Sequence, residues 1–175
     1  WKNAPRVVVV QSITDKEVTD QYFKESGGQD SGLVALYSMR AWRKGWTAGG
    51  KVYRIHSFLE VQPQDHDLVR EATIVGTGLQ WGIRLPLSAA DQLNTGAPWD
   101  VVAGPRGQAG SWGGHMVMSA EYNDVGPVFV TWGKKKQATW RFIDAYADEC
   151  YMAVDDVNRL SGGMSLHLAE ALDNI

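Results

Sequence analysis

The chain has a single cysteine, Cys150, among its 175 residues, so no intrachain disulfide is available and the fold needs neither an oxidising compartment nor a redox pair. It also lacks a dominant charge. A formal net charge of -3 gives no basic field able to hold a phosphate backbone, which excludes nucleic acid as a partner. Long apolar runs are missing too: the longest early one, Val7 to Val10, is far below the roughly 18 residues of a membrane-crossing helix, so neither a membrane span nor a signal peptide is expected. Histidine is scarce and scattered. His56, His66, His115 and His167 share no metal-ligand spacing, and Asp65-His66-Asp67 reads as a helix N-terminus that welcomes carboxylates, so neither a metal nor a cofactor is expected.

What is present is the composition of a globular domain. Hydrophobic residues make up 44% and charged residues 21%, enough apolar surface to order the chain. With no repeat or linker visible, residues 1–175 read as one domain. Its helical part covers about 1–50, its mixed and β part about 51–155, and a final amphipathic helix about 163–174 with Met164, Leu168 and Leu172 on one face. Thr14 and Glu17 form a capping box that starts a first helix. A second runs from near Ser31 to Gly45, with Leu33, Leu36, Tyr37 and Ala41 as its apolar face. Alternation predicts a strand over 51–61, Asp65 caps a helix to about Val75, and Leu79 to Leu85 alternate up to Pro86. A glycine-rich loop follows from Asn94 to Gly114. The last third reads as strand 115–122, a turn at 123–126, strand 128–132, a helix from Trp140 capped by Thr139, and strand 150–154. Lys134-Lys135-Lys136 falls in a solvated turn before that helix. Early helices followed by antiparallel strands predict an α+β fold.

The stretch Gly110-Ser111-Trp112-Gly113-Gly114-His115, with Val130-Thr131-Trp132-Gly133 on the returning strand, carries the candidate chemistry. An imidazole at a strand entrance is held in place, and its usual pKa near 6.5 suits proton transfer at neutral pH. Gly113 and Gly114 let another backbone approach the ring. On the 115–122 strand, Met116, Met118, Ala120 and Tyr122 form the apolar face expected to pack inward. The returning strand brings Thr131 and Trp132 beside His115, with Thr131 a weak orienting group through its hydroxyl. Trp112, Trp132 and Trp99 flank the loop and serve either core packing or an apolar groove. Two other nucleophiles fit poorly: Cys150 alternates into a core position, and Ser111 lacks the G-x-S-x-G elbow.

The order Gly-Gly-His, apolar strand, turn at Tyr122-Asn123-Asp124, second strand, Trp-Gly, capped helix and final strand resembles the C-terminal half of papain-like cysteine peptidases. It looks closest to the bacteriocin-processing branch and to related phage and bacterial proteins. The resemblance implies a papain-like fold of N-terminal helices and a C-terminal antiparallel half-barrel. It also implies His115 as the base, Thr131 where the family has an Asn or Asp, a cleft at Gly113, Gly114, Trp112 and Trp132, and a location in a virion or the bacterial cytoplasm. The family's nucleophilic cysteine stands on a helix upstream of His115, and no cysteine of this chain matches it.

Three expectations follow. The chain is a peptidase or amidase domain whose thiol is encoded upstream of Trp1, inactive by itself. Alternatively it is a non-catalytic structural or binding protein, such as a phage particle component, that keeps the fold and works as a homo-oligomer or particle. In a third reading a separate N-terminal fragment brings the thiol. The expected partner is a peptide or protein.

Overall fold

The computed structural model describes residues 13–30, 32–76 and 78–154. Thr14 accepts from Glu17 N and the Glu17 carboxylate reaches back to the Thr14 backbone, so the capping box starts α1, Asp15–Glu25. The same carboxylate accepts from Gly49 N, tying α1 to the turn between β1, Trp46–Ala48, and β2, Lys51–Tyr53. This hairpin replaces the first part of the single strand expected over 51–61. Gly49 and Gly50 both have positive φ (55° and 72°), the two-residue turn that joins right-twisted strands without splaying them. The rest of that strand is β3, Ser57–Glu60.

Between α1 and the hairpin lies α2, Ala35–Lys44. Its buried residues are Ala35, Ser38 and Met39; of the expected Leu33, Leu36, Tyr37 and Ala41, Leu36 packs partly buried against this core and Tyr37 is exposed. α2 lies over the sheet through Met39, which packs with Ile55 and Tyr151. Asp65 accepts from Leu68 N and opens α3, His66–Val75, and β4, Leu79–Leu85, stops at Pro86 as expected. The sequence reading missed α4, Leu87–Thr95, which Gly96 ends in the left-handed region at φ 77°. The irregular segment is therefore shorter than expected. It contains one 3-10 turn at Pro105–Gly107 and gives way to β5, Gly113–Tyr122.

The remaining elements are β6, Pro127–Thr131, β7, Lys134–Gln137, α5, Trp140–Tyr146, and β8, Ala147–Val154. Thr139 caps α5 through Phe142 N, as expected. The lysine triplet is a correction: it forms the edge strand β7, and Lys136 is buried. Six antiparallel strands make one sheet in the order β3-β8-β4-β5-β6-β7, so the class is α+β. The expected C-terminal helix over 163–174 and the expected start of the second helix at Ser31 lie outside the described residues. No helix among the described residues is long and apolar enough to cross a membrane.

Because successive side chains of a strand point to opposite faces, the sheet has a core on each side. On one face Trp81, Ile83, Val117, Phe129, Cys150 and Met152 pack with Val69 and Ala72 of α3 and Phe142 and Ile143 of α5. On the other, Tyr151, Met116 and Ala153 meet Ala35 and Met39. This inverts the expectation for β5. Val117 and Ser119 face the larger core, while Met118 is half exposed. The apolar look of the Met116, Met118, Ala120 face misled because Ser119 is not a solvent residue: its hydroxyl accepts from the Trp81 indole N–H at 2.8 Å inside the core. The pairing shifts by one residue between Ser119 and Glu121, so alternation does not run the whole strand.

Trp81 is fully buried, so its N–H has no water to turn to if that acceptor is lost. Replacing Ser119 by Ala should therefore cost about 1–3 kcal/mol, read as a lower denaturant midpoint at unchanged slope.

Candidate functional site

His115 is the third residue of β5, paired with Ile83 of β4. Gly113 has φ 138°, and a Cβ at Gly113 or Gly114 would meet nothing within 4 Å, so this strand entrance is open. Thr131 ends β6 and is buried. Its hydroxyl lies 2.7 Å from His115 Nε2. Among the described residues Nδ1 of the same ring has no hydrogen-bond partner. Burial alone pushes the His115 pKa below 6.5, because the imidazolium loses more hydration than the neutral ring.

Trp132 and Gly133 form the two-residue turn between Thr131 and Lys134, which pair across the hairpin. Both have positive φ, 45° and 71°, and Trp132 is the one non-glycine so placed among the described residues. A left-handed conformation costs a side-chain-bearing residue roughly 1–2 kcal/mol. The indole's position offsets this. It lies flat on the imidazole, centroids 4.2 Å and planes 10° apart, with Trp112 at 5.4 Å and the fully buried Trp99 edge-on at 6.4 Å. Trp132 covers one side of the His115–Thr131 contact and stays half exposed itself. The six sequence-selected residues Trp112, Gly113, Gly114, His115, Thr131 and Trp132 thus come together, while Trp99 belongs to the core.

The weaker nucleophiles do not join them. Cys150 is fully buried opposite Trp81, and desolvation holds its thiol well above the usual range. The Ser111 hydroxyl accepts from Leu87 N at 2.9 Å and so serves the start of α4. His66 contacts Asp144 at 2.7 Å and stacks on Trp140, linking α3 to α5. Among the described residues no group of three or more metal-ligating side chains is found.

A cavity of about 650 Å³ lies beside the site, between Tyr22 and Val34 on the helical side and Arg84, Gly114, His115 and Glu149 on the sheet. Glu149 accepts from Ala35 N and so anchors the start of α2, and Arg84 pairs with Asp148 at 3.6 Å. The sequence reading missed these charged walls. The signal was Asp148-Glu149 immediately before Cys150, a polar pair inside an otherwise apolar strand.

The His115 imidazole should titrate below 6.5 by NMR. Trp132→Asn, which suits the turn but removes the indole, should move the midpoint back toward 6.5. The native ring holds fewer protons than the unfolded one, so stability present at pH 7 is lost as pH falls below about 6.5 and levels off below the native pKa. Against His115→Gln, wild type should lose stability in that window, measured by denaturation at a series of pH values.

No family model, curated protein or solved structure matches this chain.

Proposed function

We propose that this chain carries the base half of a papain-like cysteine peptidase or amidase, with His115 set to serve a thiol that lies outside this sequence. The observation that carries the reading is the contact of His115 Nε2 with Thr131 Oγ1 at 2.7 Å under the Trp132 indole. One ring nitrogen is held by a neighbouring strand and the other is left for a substrate or nucleophile, which is the relation of base to orienting group in triad chemistry. The α+β class, with two helices ahead of an antiparallel sheet, supports the reading at that level. In the reaction His115 takes the thiol proton, the thiolate attacks the carbonyl carbon, the C–N bond breaks as the imidazolium returns that proton to the leaving amine, and water hydrolyses the resulting thioester with His115 again as base. Trp132 keeps water from the His115–Thr131 contact, and the open entrance at Gly113 and Gly114 admits substrate backbone.

Two half-exposed indoles, Trp112 and Trp132, favour a second reading: a binding or structural protein that contacts a peptide or protein partner through this aromatic surface and assembles as an oligomer or particle. Location in a virion or bacterial cytoplasm belongs to these proposals alike.

A thiol-directed peptidase probe applied to the longest natural form decides between them. Labelling should occur at a cysteine other than Cys150, and His115→Ala should lower turnover by about 100- to 10,000-fold. A natural form that carries no further cysteine and takes no label, yet assembles by sedimentation, overturns the catalytic reading in favour of the second. Thr131→Val should lower turnover and Thr131→Asn should preserve it.

A further inference from the structure

Lys136 is the one charged side chain buried among the described residues, at 5% exposure. It stands on the edge strand β7 between neighbours that behave as edge lysines do: Lys134 and Lys135 are exposed, and Lys135 pairs with Glu121. Lys136 turns inward instead. Its ammonium donates to Gln92 O at 2.7 Å and to Ala97 O at 2.5 Å. Gln92 lies in the last turn of α4, where carbonyls lack an intrahelical N–H partner; the Thr95 hydroxyl reaches this one only at 3.4 Å, and a cation there also meets the negative end of the helix dipole. No carboxylate faces it: among the described residues it makes no ion pair, and burial lowers its pKa. An uncompensated buried cation is costly unless its donors are well used, and here they fix one particular piece of backbone.

That backbone leads to the site. Ala97 is two residues before Trp99, whose ring lies 5.9 Å from the Lys136 ammonium. Trp99 is held at its own end as well, by its N–H on Ala89 O at 3.0 Å and by backbone bonds to Gln137 and Thr139. Its ring supports Trp132 edge-on at 6.4 Å, and Trp132 lies flat on His115 at 4.2 Å. Trp132 cannot hold this position by backbone preference, because its left-handed φ disfavours a large side chain. It depends on what its ring rests against.

We infer that Lys136 is a positioning residue for His115, acting by clamping the Gln92–Ala97 carbonyls so that Trp99 backs the Trp132 indole against the imidazole. Its consequence in catalysis rests on the reading of His115 as the base. The mechanical relay itself does not require a nucleophile.

Lys136→Met keeps the aliphatic stem and removes the donors. In this variant the His115 ring-proton signals, displaced in wild type by the stacked indole, should move toward those of free histidine, and the titration midpoint should rise toward 6.5. Lys136→Arg should restore both. Ile55→Ala, a truncation in the separate core under α2 that contains no residue of the relay, should lower the melting temperature and leave the His115 signals in place. A Lys136→Met protein that melts lower with unmoved His115 signals overturns the relay and leaves helix capping alone. So does an Ile55→Ala protein whose His115 signals shift to the same extent. If Lys136→Met fails to fold, Trp99→Phe replaces it: the carbonyl clamp is kept, the supporting ring shrinks, and unmoved His115 signals are again the overturning result. In an active natural form, Lys136→Met should lower kcat about 10- to 100-fold with KM little changed. A longest natural form without activity sinks the catalytic reading and not the relay, because the NMR measurements do not depend on turnover.

Discussion

The register of β4 against β5 is the constraint on which the rest depends. A shift by one residue would turn every β5 side chain to the opposite face. Met116 and Met118 would enter the larger core, and His115 would leave the side where Thr131 and Trp132 stand. Hydrophobicity alone does not forbid that shift, since the methionine face is the more apolar of the two. The indole N–H of Trp81 does. Fully buried, it must have an acceptor, and Ser119 supplies it only in the observed register. A buried polar contact here chooses between two apolar packings of similar quality, and His115 is where it is as a result.

Much of the organisation was legible because it rests on local chemistry. The Thr14–Glu17 box and the Asp65 and Thr139 caps each satisfy orphan backbone groups next to themselves in sequence, and Pro86 ends β4 because it has no N–H to give the ladder. What was illegible depends on partners distant in sequence. The inward face of β5 is decided by Trp81, the inward turn of Lys136 by two carbonyls of the α4 region, and the buried face of α2 by Ile55 and Tyr151. The Gly49–Gly50 turn and α4 are different. Their signals, a glycine pair between short alternating runs and a helix-forming stretch after Pro86 closed by Gly96, were present in the chain. The candidate site was legible for the opposite reason to the core: glycine, histidine and tryptophan are rare enough together that their spacing carries information. The relay through Trp99 has no such spacing.

Trp132 joins local strain to tertiary packing. An Asn-Gly pair would occupy the same hairpin turn at ease, so the sequence forgoes about 1–2 kcal/mol of turn stability to put an indole there. Stacking of aromatic rings contributes about 0.5–1.5 kcal/mol beyond the area buried, comparable to the strain. The two effects nearly balance, and neither alone decides where the ring lies. That balance makes the support from Trp99, and the clamp behind it, matter more than their distance from His115 suggests.

Thr131 gives this site a different base from one oriented by an amide or carboxylate. Those groups present an oxygen that can only accept, so they hold the Nε2–H tautomer and leave Nδ1 free to take a proton. A threonine hydroxyl both donates and accepts. It satisfies Nε2 in either tautomer at the same 2.7 Å, and so does not enforce the one a base needs. Nor does it carry charge to stabilise the imidazolium, and burial without a counter-charge is what moves the His115 pKa down. On the proposed reading, an ion pair between thiolate and imidazolium would draw its stability from the approaching nucleophile and not from Thr131. The ring would then stay neutral until the thiol arrived, and the site's activity would be gated by docking of the nucleophile more than by pH.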